Sequence, residues 1–233
     1  GTVTIAPTGV IRRAGTFTGA VNIGQVGYYG GTMTLVNNGL IENTASGQAL
    51  AVNVSSLVHN GMLQVNSGGT VLINSPVSGF SGRFNAVGGD IYLSSTYTNT
   101  GTLTISGIGG RVNLNAGTIN GGNIAYVDGQ VLHAAGSGTL TGVTVNGDIL
   151  ADTPSARLIL GLGTTFATLR LSGTHSGVGF VPDYVLTNTV VFEGTGSTPR
   201  YMEMNGQNGT VTIAPTGVIR RAGTFTGAVN IGQ

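Results

Sequence analysis

The residues of this 233-residue chain best able to do chemistry are eight carboxylates and three histidines, and the sequence scatters them. Hydrolysis or eliminative cleavage of a polysaccharide wants converging carboxylates, or a basic residue beside an acidic metal-binding set. Here Glu42, Asp90, Asp128, Asp148, Asp152, Asp183, Glu193 and Glu203 stand singly. The closest pair, Asp148 and Asp152, straddles Ile149-Leu150-Ala151 and shares a face if that strand is unbroken, since alternate residues of a strand point the same way. Two solvated acids near a turn are the expectation, with a weak cation site as the alternative. His59, His133 and His175 have no carboxylate or nucleophile close by in sequence, so only a site assembled from separate coils would use them. Gly88-Gly89-Asp90 and Val127-Asp128-Gly129 are mere fragments of the glycine-rich calcium repeat. Adjacent Arg12 and Arg13 point to opposite faces of a strand and form no anion clamp unless the backbone turns. Tyr28, Tyr29, Tyr92 and Tyr97 are either aromatic platforms for sugars or, the commoner role, core packing. The chain therefore reads as a non-enzyme, with no residue assigned to catalysis, to a cofactor or to a metal.

Composition narrows the partners. Charged residues are 7% of the chain, against roughly 25% in an ordinary soluble domain, and all nine basic residues are arginine. The formal net charge is +1, yet residues 1–208 hold seven Arg and eight acids and carry −1. Such a surface has no basic footprint for nucleic acid or anionic lipid. Absence of cysteine excludes disulfides and thiol chemistry. No apolar run approaches the roughly 18 to 20 residues of a membrane span, so no membrane insertion is expected in this segment. A signal peptide is not expected at Gly1, because the first residues lie inside a repeat.

The elements that would position these residues are short strands. Gly1-Thr2-Val3-Thr4-Ile5 alternates polar and apolar, and Ala6-Pro7-Thr8-Gly9 reads as a turn. The phrase returns as Gly31-Thr32-Met33-Thr34-Leu35 followed by Asn37-Asn38-Gly39-Leu40-Ile41, and in part as His59-Asn60-Gly61-Met62-Leu63, Gly69-Thr70-Val71-Leu72-Ile73 and Gly101-Thr102-Leu103-Thr104-Ile105. No helical apolar periodicity is sustained, and the one short helical candidate, 44–54, contains Gly47. Above these units sits a longer repeat: Gly1–Gln25 recurs unchanged as Gly209–Gln233. Residues 1–208 are read as one full period of a tandem repeat, and 209–233 as the start of the next. The two copies are expected to share a backbone and to be related by translation and a small rotation along one axis.

Two all-β architectures fit. Six Asn-Gly pairs per period could close type I′ hairpins of tandem immunoglobulin-like sandwiches. Against that, tryptophan is absent, no linker marks a boundary, and the motif glycine is followed at once by another apolar pair. A parallel β-helix, or β-solenoid, in which like residues stack coil on coil, is the preferred reading. With coils of roughly 20 to 25 residues spaced about 4.8 Å, one period makes about nine coils and roughly 40 to 45 Å of rod.

The phrase Gly-Thr-x-Thr-Ile ending in x-Gly-x-Ile resembles the degenerate coils of bacterial surface proteins, the autotransporter passengers and filamentous-haemagglutinin-like adhesins. That resemblance implies a right-handed parallel β-helix and a place outside the cell or on its surface. The function expected is a structural fibre or adhesin stalk whose repeats continue end to end, with lateral self-association or polysaccharide as further partners. A carbohydrate-binding adhesin surface is the alternative, and a polysaccharide lyase or hydrolase the more distant one.

Overall fold

A computed structural model describes residues 1–24 and 31–232. Among these residues there is no helix, and every pairing between strands is parallel. The chain runs along three faces in turn. Eleven strands, from Thr2–Ile5 to Val229–Ile231, form the first sheet. Seven strands starting with Val10–Arg13 form the second, and ten, from Val21–Ile23 to Val218–Arg221, form the third. This is a parallel β-solenoid, as the short period-two phrases imply. The immunoglobulin-like alternative falls: hairpins would give antiparallel ladders, and the Asn38-Gly39 and Asn60-Gly61 pairs sit at corners between parallel sheets. The helical candidate 44–54 is a turn leading into the strand Ala49–Val52, with Gly47 at φ 66°.

Alternation decides what is buried. In the strand Thr70–Ile73, Val71 and Ile73 are buried, and the register stacks them on Leu50 and Val52 before and Ile91 and Leu93 after. The core is the axial continuation of such columns.

Corners are built from two recurring devices. Glycines stack one above another: a Cβ on Gly61 would lie 2.2 Å from the Gly39 carbonyl oxygen, and one on Gly39 would lie 2.3 Å from that of Gly9. The x-Gly-x-Ile phrase is therefore a requirement for close coil-to-coil approach. Just before the glycine, a buried Asn caps the turn. Asn37 Oδ1 accepts from Gly39 N at 3.1 Å while its Nδ2 donates to Met62 O of the next coil at 3.2 Å. Asn99 repeats this with Gly101 N and Asn123 O. His59 takes the same place in the next coil, its Nδ1 3.0 Å from Asn37 Nδ2 and its ring stacked on Phe84. Outside, exposed asparagines form ladders along the axis, Asn22–Asn53–Asn74 and Asn38–Asn60–Ser81.

The duplicated segment makes the same three strands twice, but on different faces. Thr2–Ile5, Val10–Arg13 and Val21–Ile23 lie on the first, second and third sheets. In the second copy, Val211–Ile213 pairs with Tyr184–Leu186, Val218–Arg221 joins the third sheet and Val229–Ile231 the first. Tyr184–Leu186 follows a first-sheet strand and precedes a third-sheet strand, so it occupies the second-sheet side, to which the Thr144–Thr165 bridge leads. The second copy is thus advanced by one face. The expected small rotation is corrected to about a third of a turn, because a period need not contain a whole number of unequal coils.

Candidate functional site

The acids that sequence scatters are brought together by stacking, most densely on the outside of the third sheet. Its inward positions Ile91, Val112, Leu132, Ile149, Leu169 and Val190 are buried apolar residues. The intervening outward column reads Tyr92, Asn113, His133, Leu150, Arg170, Val191. Asp148 and Asp152 flank the strand Ile149–Ala151 and, by alternation, share the outward face with Leu150.

These two acids have different partners. Asp152 Oδ1 lies 3.1 Å from His133 Nδ1, and its Oδ2 lies 3.0 Å from the Arg111 guanidinium. The hydrogen bond from His133 holds the Asp152 carboxyl below the usual carboxylate range, helped by the charges of His133 and Arg111 and opposed by partial burial. A carboxylate at Nδ1 makes that nitrogen the donor, so the neutral ring keeps its lone pair on Nε2. Asp148 lies 3.9 Å from Arg170, whose Nε and Nη2 both donate at 2.9 Å to Glu193. Three carboxylates thus face two arginines and one histidine. The His–Asp pair is oriented as a general base requires, yet no hydroxyl or thiol nucleophile hydrogen-bonds to it among the described residues. Nor do three or more His, Asp or Glu gather into a metal-holding set among them.

Elsewhere the candidates disperse. His59 is fully buried, and desolvation brings its pKa down to about 4. His175 holds φ 57° and stacks against Tyr201. Asp128, at φ 61°, caps a turn by accepting from Gly107 N. Asp90 sits beside Tyr92, which is pushed up chiefly by burial and also by that carboxylate. Tyr97 belongs to the core, donating its hydroxyl to Ile73 O at 2.7 Å. As a sugar platform it is excluded; Tyr28 and Tyr29 lie outside the described residues. Arg12 and Arg13 do diverge: Arg12 pairs with Glu42, while Arg13 is buried against the carbonyl oxygens of Phe17, Gly19 and Ala49.

Two features were not legible in sequence. The His133–Asp152 pair is separated by 19 residues and Arg170–Glu193 by 23. The available signal was coil length, since residues one coil apart become neighbours. Arg200 is the other. It is fully buried, donates to the carbonyl oxygens of Thr198 and Ser172 at 2.8 and 2.9 Å, and covers the Phe225 ring at 4.8 Å.

Fold and surface together define a parallel β-solenoid repeat protein with a charge-balanced outer face. No protein-family model, curated protein or solved structure matches the chain.

Proposed function

We propose that this chain is a structural segment of a bacterial extracellular or cell-surface fibre, an adhesin stalk or filament whose β-solenoid repeats continue end to end. One observation carries the reading: the 25-residue segment repeated after 208 residues forms the same three strands on the same solenoid axis at both places. A module whose end coil is also its opening coil extends without a new interface. Stiffness then comes from sheets hydrogen-bonded along the axis, and wetting from Thr, Asn and paired charges. The test is cryo-electron microscopy of the longest native assembly. An axial layer line near ~4.8 Å, with a longer repeat of roughly 40 to 45 Å, is expected for a continuous solenoid. A beaded chain without that line overturns the reading.

The second reading is a carbohydrate-binding adhesin face, favoured by the partly exposed Tyr92 and Arg170 on the outside of the third sheet. Titrating the chain with neutral and acidic polysaccharides, with Arg170→Ala as control, tests it. Equal retention of both chains on the sugar overturns a role for this face.

A further inference from the structure

We infer that successive periods join as one uninterrupted solenoid in which each is turned by one face, about a third of a turn, relative to the one before. The inference rests on the tandem-fibre reading and adds the geometry of its junction. Because the 25-residue coil occurs twice, the chain records both of its neighbours. The first copy has only a following coil, and the second has a preceding one.

The two neighbours use opposite edges of the same strands. In the first copy the carbonyl oxygens of Gly1, Ile5, Gly9 and Arg13 accept from Thr34, Asn38, Leu40 and Thr44 of the following coil. In the second copy the Thr210 carbonyl oxygen accepts from Asp183, and the amides of Ala214, Val218 and Ala222 donate to Leu186, Asn188 and Phe192. These four are the counterparts of Thr2, Ala6, Val10 and Ala14. Odd positions serve the coil after and even positions the coil before, as an interior strand of a parallel sheet requires. Both sets of bonds can therefore form at once.

Side chains show the same complementarity. Ile5, covered by the following coil, is 6% exposed, and its counterpart Ile213 is 51% exposed. Phe225, packed against Arg200 of the preceding coil, is 5% exposed, and its counterpart Phe17 is 63% exposed. Arg12 pairs with Glu42, and Arg13 donates to the Gln48 side-chain oxygen and the Ala49 carbonyl oxygen, all of the following coil. Arg221 keeps the local bond to the Phe225 carbonyl, which matches that of Arg13 to Phe17. The hollow of about 300 Å³ lined by Phe180, Met202, Met204, Ile213 and Ile231 is the seat of the next coil. Its occupant is a second copy of the coil that carries Leu35, Ile41 and Glu42.

One consequence concerns display. If each period advances by one face, the Arg111–His133–Asp152 and Arg170–Glu193 pairs recur on three sides of the rod, returning to the same side after three periods. A ligand of that face would meet the fibre from three directions.

The experiment extends the chain by one period through its shared 25 residues, so that residues 1–208 precede residues 1–233, and determines the structure by cryo-electron microscopy. The expected result is one rod whose two periods superpose after a rotation of about a third of a turn, with Glu42 of the second period on the arginine that occupies position 220. A continuous rod with no rotation between periods overturns this inference and leaves the fibre reading standing. Two bodies without strand pairing at the junction overturn both.

Discussion

His59 is the residue whose burial has the clearest measurable cost. Its pKa is brought down to about 4 from an ordinary 6.5 by desolvation, so the folded chain keeps the ring neutral where the unfolded chain protonates it. The stabilisation is complete above pH 6.5 and is lost as pH falls toward 4, a swing of about 3 kcal/mol. Urea midpoints measured from pH 7.5 to 4.5 should fall accordingly. His59→Asn, which repeats the Asn37 solution at that corner, should flatten the slope; an unchanged slope would place the titration on other groups. Arg200 works differently, with its charge buried against backbone oxygens. Arg200→Ala leaves the Ser172 and Thr198 carbonyls without their donor and opens space beneath Phe225. A loss of roughly 2 to 4 kcal/mol in urea unfolding is expected. A loss below about 0.5 kcal/mol would mean that water replaces the guanidinium at no cost.

Corners of the solenoid rank their glycines by how close the neighbouring coil comes. Gly61 has the Gly39 carbonyl oxygen 2.2 Å from where a Cβ would stand, whereas at Gly101 the nearest atom, Phe80 O, is 3.2 Å away. Neither needs a left-handed backbone, so the comparison isolates packing. Gly61→Ala should destabilise by roughly 2 kcal/mol or more, because backbone of two coils must shift, and Gly101→Ala by less than about 1 kcal/mol. Equal thermal shifts for the two variants would contradict the stacked-corner account. Strands respond to the same constraint: each is only two to five residues long and is held by the coils on either side.

The solenoid is quasi-one-dimensional, each coil touching only its neighbours, so in the 233-residue chain by itself stability should grade from the ends inward. Hydrogen exchange followed by NMR should find the amides of Val71, Ile91 and Val112 slowest and those of Val211–Ile213 and Val218–Arg221 faster by about tenfold or more. Uniform protection would show a single cooperative unit. The ion pairs of the third sheet contribute little to this gradient, since partly exposed pairs are worth about 0 to 1 kcal/mol each and are screened by salt. Their more telling property is balance, since Asp148, Asp152 and Glu193 on this face each have a basic partner.

Much of this was readable from the chain alone. Alternation in phrases such as Gly69-Thr70-Val71-Leu72-Ile73 announces strands with one buried side, and the Gly-Thr and x-Gly-x-Ile echoes announce coils that stack, because both are local patterns set by the two-residue period of a strand. The identity of 1–25 with 209–233 announces that the same set of short strands is built twice. Which residues meet across coils was not readable, since unequal coil lengths decide whether His133 falls beside Asp152 or beside a threonine. The Asn-Gly pairs read equally as hairpin turns or as corners, and the parallel register separates the two. Least legible of all was the face on which the second copy begins. That depends on the sum of every coil length over 208 residues, a remainder no single motif contains and that appears only once the chain is wound.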